Sequence, residues 1–100
     1  NSGRAIITTC GIAENGEPFW APYAASKSAL QAMVACWARE VEHTKLRVNL
    51  IDPGVMRTGL RAEAFPGEDP SQLQLPASVA PLIVKLALPT NNAHGEIIKA

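Results

Sequence analysis

Two short runs of β-branched and apolar residues flank one long stretch with helical spacing, and this pattern organises the front half of the chain. Residues 4–9 (Arg-Ala-Ile-Ile-Thr-Thr) give way to Cys10-Gly11, as a buried strand does where it runs into a loop. Gly16, Pro18 and Pro22 punctuate that loop. Residues 23–43 contain no Gly or Pro and are rich in Ala, Leu, Gln, Met and Glu, which predicts a helix. It would run about 30 Å and open beside Pro22, where a missing amide costs no helical hydrogen bond. Leu30, Met33, Val34, Trp37 and Val41 recur three and four apart, an apolar stripe for a sheet or a partner. Residues 46–51 (Leu-Arg-Val-Asn-Leu-Ile) form the next strand pattern, stopped by Asp52-Pro53-Gly54. A short helix is expected over 59–64. An exposed loop follows over 65–76, with three prolines and a glycine. Residues 77–87 read as a helix with Val79, Leu82, Ile83 and Leu86 on one side and Pro81 in its first turn. After a turn over 89–95, residues 96–99 suit a last strand.

Strand, long helix, strand with short joints is a βαβ unit, so the fold class is α/β with two or three parallel strands. Parallel sheets need cover on both faces. Only the long helix is assured as cover here, so the chain is expected to be part of a larger fold or to pair with another chain. One hundred residues with 47% hydrophobic and 18% charged positions suit a single globular domain and exclude a disordered tail. Nine basic residues offset nine acidic ones, leaving no positive field for nucleic acid or anionic lipid. No apolar run reaches membrane-spanning length, and no secretory leader pattern opens the chain. The expected setting is cytoplasmic. Cys10 and Cys36 form no zinc spacing with His43 and His94; two plain thiols are expected, and His94 is expected to be solvent-exposed. The chain opens on Asn1 rather than Met, as a processed product or a piece of a longer protein would.

The densest chemical signal is Tyr23-Ala24-Ala25-Ser26-Lys27. A spacing of four sets Tyr23 and Lys27 one turn apart on one helical face. A free phenol titrates near pH 10, and a neighbouring ammonium favours the phenolate, so the pair can form a general acid–base. Taken alone the spacing is a common surface pair. Its context is more specific: a strand, a loop, Tyr and Lys at a helix start, then a strand ending in Asp-Pro-Gly. That combination resembles the short-chain dehydrogenase/reductase family, in the C-terminal half of its Rossmann-type domain. The resemblance runs through residues 6–9, Pro22-Tyr23-Ala24-Ala25-Ser26-Lys27-Ser28-Ala29-Leu30, Leu46-Arg47-Val48-Asn49, Pro53-Gly54-Val55-Met56-Arg57-Thr58 and Gly95-Glu96-Ile97-Ile98.

The resemblance implies hydride transfer between NAD or NADP and a small carbonyl or alcohol substrate. Tyr23 would exchange the proton at the substrate oxygen and contact the cofactor, and Lys27 would activate Tyr23 and hold the nicotinamide ribose. Pro53, Gly54 and Val55 would offer backbone groups to the nicotinamide, with Thr58 reaching its amide or the phosphates. Residues 59–75 would form a substrate lid, and the 23–43 helix would pack in a homo-oligomer. The sequence departs from the family twice. Thirteen positions before Tyr23, where the family has a substrate-binding serine, stands Cys10, a weaker donor. Thr8 or Thr9 could shift into that role, and Cys10 could equally be a small buried strand-end residue. The glycine-rich turn that seats a pyrophosphate is absent, so the N-terminal cofactor-binding half is expected to lie outside these residues. The alternative is a truncated, inactive module acting through self-association. Phe19 and Trp20 are expected to pack as loop anchors or to line a pocket.

Overall fold

The computed structural model describes residues 2–100. The elements follow in the order β1 (Ser2–Thr8), α1 (Ile12–Asn15), α2 (Ala21–Glu40), β2 (Lys45–Asp52), α3 (Gly59–Ala64), α4 (Ala80–Ala87) and β3 (Ile97–Lys99), with 3-10 turns at Pro70–Gln72 and Pro76–Val79. The three strands form one sheet in the order β1-β2-β3, and both pairings are parallel. The α/β class expected from the sequence is the one observed.

The strand period of two sorts the core into two halves. Val48 and Leu50, with Ala5 and Ile7, point to one face and meet Val34, Ala38, Leu30 and Val41. Ile51, with Ile6 and Ile98, points to the other face and meets Val79, Leu82, Leu86 and Met56. Val48 and Ile51 are each only 1% exposed. The long helix therefore covers one face, and α4 with the turn before it covers the second. The expectation that one helix alone would be assured as cover is corrected here, because Pro81 sits in the opening turn of α4 and leaves its apolar side intact.

The stripe on α2 splits. Val34 is buried against the sheet, with Leu30 and Val41 beside it, while Met33 and Trp37 remain exposed. The helix runs Ala21–Glu40 and not to His43; Val41 caps it, its amide bonded to the Trp37 carbonyl. Thr44 then bonds back to Val41 and releases the chain into β2.

Two polar side chains fasten β3 and the turn before it. Asn49, only 2% exposed, donates from Nδ2 to the Ala93 carbonyl at 2.9 Å and accepts at Oδ1 from the Glu96 amide at 3.2 Å. His94 is not the exposed turn residue expected from sequence. Its Nδ1 accepts from the Val48 amide at 3.1 Å, which leaves the ring proton on Nε2 to donate to the Ala38 carbonyl at 2.7 Å. Ala38 lies in the last turn of α2, where carbonyls lack helical partners. His94→Ala would strand a strand amide and a helix-end carbonyl, a loss of about 2 kcal/mol. Urea unfolding of the full protein would measure it, and an unchanged midpoint would show that water replaces the ring without penalty.

Candidate active site

The site forms at the C-terminal ends of β1 and β2. The parallel register pairs Thr8 with Ile51, and the Thr9 amide continues it to the Ile51 carbonyl at 2.8 Å. The loops leaving the two strands, with Cys10 in one and Pro53 in the other, therefore emerge side by side. A β-carbon on Gly11 would lie 3.8 Å from an Asp52 carboxylate oxygen, which confirms the proximity. Open α/β folds bind ligands at such strand ends.

Tyr23 sits in the first turn of α2, just after Pro22. Its hydroxyl accepts a long hydrogen bond from the Cys10 thiol at 4.0 Å. Burial, and after it the adjacent Cys10 sulfur, pushes the Tyr23 phenol above its ordinary value near 10. The Tyr/Lys spacing predicted the opposite direction. Lys27 Nζ lies over the ring, 5.7 Å from its centroid, in a cation–π position, and the direction is set by burial and Cys10 instead. Among the described residues Lys27 makes no ion pair, so its ammonium is free for an anionic or hydroxylated ligand.

Thr9 does not stand in for the missing serine. Its side chain is buried and its hydroxyl accepts from Gln31 Nε2 at 2.8 Å, which ties β1 to α2. Thr8 is exposed at the strand end. Cys10 is therefore the side chain that the loop after β1 brings to Tyr23. Its exposure is intermediate, so it is not the fully buried strand-end residue of the other reading.

After β2, Gly54 takes φ +78°, a left-handed conformation that glycine accepts without strain. Its amide is held by Asp52 Oδ1 at 3.0 Å. Nothing lies within 4 Å of where its β-carbon would be, so the backbone here is open to a ligand. Val55 is exposed. Thr58 caps α3, its hydroxyl oxygen accepting from the Arg61 amide; the hydroxyl proton stays available to donate. An unpaired ammonium on α2, an open glycine backbone after β2 and a free hydroxyl proton at the start of α3 are groups of the kind that can hold the nicotinamide end of a dinucleotide.

Sequence reasoning missed the surroundings of Tyr23. Phe19 does not anchor on the core: it takes φ +71° and is fully exposed. Trp20 meets the Tyr23 ring edge-on at 5.8 Å and stacks on Phe65 at 5.6 Å with 7° between planes. No local pattern pairs residues 20 and 65, so no sequence signal could have found this contact. Glu68 joins the same neighbourhood through Arg61. That bidentate hydrogen bonding holds the Glu68 carboxyl below its ordinary value, so its stabilisation is present at neutral pH and is lost as the pH falls through the carboxyl's titration.

The chain belongs to the short-chain dehydrogenase family: the family model for short chain dehydrogenases matches residues 1–69. It is 42% identical over 86 residues to the uncharacterized oxidoreductase YciK of Escherichia coli K12, a match covering 86% of this chain and 34% of that protein. A short chain dehydrogenase of Salmonella enterica serovar Typhi superimposes with a TM-score of 0.92 at 36% identity, over 98% of this chain and 41% of that one. One from Shigella flexneri 2a, crystallised with NADP, superimposes with a TM-score of 0.91 at 37% identity, over 99% of this chain and 41% of that one. The chain thus spans about a third of the curated relative's length. Among the described residues no helix is long and apolar enough to cross a membrane.

Proposed function

We propose that this chain is the catalytic, C-terminal half of the Rossmann-type domain of a nicotinamide-dependent reductase, acting on a small carbonyl or alcohol. The observation that carries the reading is the placement of the Tyr23 phenol between a thiol and an unpaired ammonium, at the C-terminal ends of two parallel strands. A bound nicotinamide supplies hydride to the carbonyl carbon in reduction and takes it back in oxidation. Tyr23 donates its proton to the carbonyl oxygen as that oxygen becomes an alkoxide. Lys27 stabilises the resulting phenolate and hydrogen-bonds the nicotinamide ribose. Pro53, Gly54 and Val55 present backbone to the nicotinamide, Thr58 donates its hydroxyl proton, and the remaining contacts to NAD or NADP come from the N-terminal half of the domain. Residues 59–75 cover the substrate. Assembly as a homo-oligomer through α2 accords with its exposed Met33 and Trp37, and a cytoplasmic setting completes the reading. The test is nicotinamide-dependent turnover by the full protein, with its loss in Tyr23→Phe.

A second reading, a catalytically silent module acting through self-association, is favoured by Cys10 alone. A thiol 4.0 Å from the phenol is a weak donor to a substrate oxygen. Cys10→Ser should therefore raise kcat about tenfold in the full protein, since a well-placed donor to a developing oxyanion is worth at least that much. No turnover in either the wild type or the Cys10→Ser protein would favour the silent module. A fall in kcat in Cys10→Ser would instead show that the sulfur itself is required.

A further inference from the structure

Helix α3 buries no residue, so core packing does not hold it. Behind it, the chain is fixed by the backbone bridge between Met56 and Gln74 and by the Arg57 amide on the Gln74 carbonyl at 2.8 Å. In front, a column of side chains runs from its far end to the site. Glu68 grips Arg61 with two hydrogen bonds, at 2.8 and 2.9 Å. The Arg61 guanidinium carbon lies 3.8 Å from the centroid of the Phe65 ring, Phe65 stacks on Trp20, and Trp20 stands edge-on to Tyr23. Each contact is of a directional kind: a bidentate ion pair, a cation on a ring face, a parallel stack and an edge-to-face pair.

We propose that Glu68, Arg61, Phe65 and Trp20 form a latch that seats residues 59–68 beside Tyr23, which makes Phe65 and Glu68 positioning residues for substrate binding. The claim rests on the reading of Tyr23 as the acid–base. The latch sets the indole against the Tyr23 ring and leaves the hydroxyl, which Cys10 approaches, and the ring face under Lys27 for substrate and cofactor. Glu68 touches neither; it acts by holding Arg61 over the Phe65 ring. A substrate that binds under residues 59–68 therefore depends on how firmly the column holds them, and the chemical step at Tyr23 depends on it less.

The test uses the full protein with NADPH and p-nitrobenzaldehyde as the carbonyl probe, together with amide hydrogen exchange over residues 59–68. In Phe65→Leu and Glu68→Gln, exchange in that segment should quicken about fivefold and KM for the probe should rise about fivefold, with the larger part of the effect in KM rather than kcat. Phe65→Tyr keeps the ring and should restore both readouts. Wild-type exchange in Phe65→Leu would overturn the latch. Faster exchange with an unmoved KM would overturn the positioning role. Turnover that survives Tyr23→Phe would overturn the acid–base reading alone, because exchange in the Phe65 variants still decides whether the latch exists.

Discussion

Tyr23→Phe should lower nicotinamide-dependent turnover by the full protein about a thousandfold, within the range that a positioned general acid–base contributes. The substitution removes one oxygen and little else. The phenyl ring can keep its edge contact with Trp20 and its place beneath Lys27, so neither the first turn of α2 nor the column beyond it loses packing. What disappears is the proton that the substrate oxygen needs and the acceptor that Cys10 meets at 4.0 Å. Cofactor affinity should change less than about threefold, since most groups assigned to the cofactor lie on Lys27 and the loop after β2 and the Tyr23 ring is kept; a threefold change is under about 1 kcal/mol. Steady-state kinetics with fluorescence titration of NADPH separates the two effects. A variant that keeps a tenth of the wild-type rate would remove Tyr23 from the chemistry.

The largest effect on stability is expected at Asn49. Its amide both donates to Ala93 and accepts from the Glu96 amide, and its side chain is almost wholly buried. Asn49→Asp keeps the shape and the acceptor but turns the Nδ2 donor into a carboxylate oxygen facing the Ala93 carbonyl. An uncompensated buried charge of this kind costs about 3 kcal/mol or more. Burial raises the pKa of the introduced carboxyl in the folded state. The folded protein then holds its proton at a pH where the unfolded chain has released it, so stability relative to wild type is recovered as the pH falls and lost as it rises through the folded-state value. Once protonated, the introduced carboxyl can donate to Ala93 again. Urea unfolding at pH 5 and pH 8 measures the difference, and a deficit independent of pH would mean that the carboxylate has turned to solvent.

Much of the architecture is written locally. The β-branched run before Cys10 and the run ending at Asp52-Pro53-Gly54 became β1 and β2, because side chains alternating between two apolar faces leave a strand little other choice. The stretch after Pro22, free of Gly and Pro, became α2, and the short helix over 59–64 lies where its sequence pattern placed it. Family membership was legible too, since the Tyr-to-Lys segment and the Pro-Gly segment are short, contiguous and correctly separated. The sequence also set Cys10 at one strand end and Tyr23 at a helix start.

Contacts between residues distant in the chain were decided only by the tertiary structure. Trp20 and Phe65 carry no mutual pattern, and their stack exists because the loops after β1 and β2 leave the same end of the sheet. His94 looked like a turn residue; only the return of the chain beside β2 presents it with the Val48 amide and the free carbonyl of Ala38. The second face of the sheet was covered by a short helix whose role could not be read until Ile51 was seen to point towards it. The direction of the Tyr23 shift turned on the same kind of fact. A spacing of four brings Lys27 into the neighbourhood of Tyr23, but burial and the thiol of Cys10 determine which way the phenol titrates. Spacing along a helix fixes which residues are neighbours, whereas desolvation and orientation depend on everything else the fold packs around them.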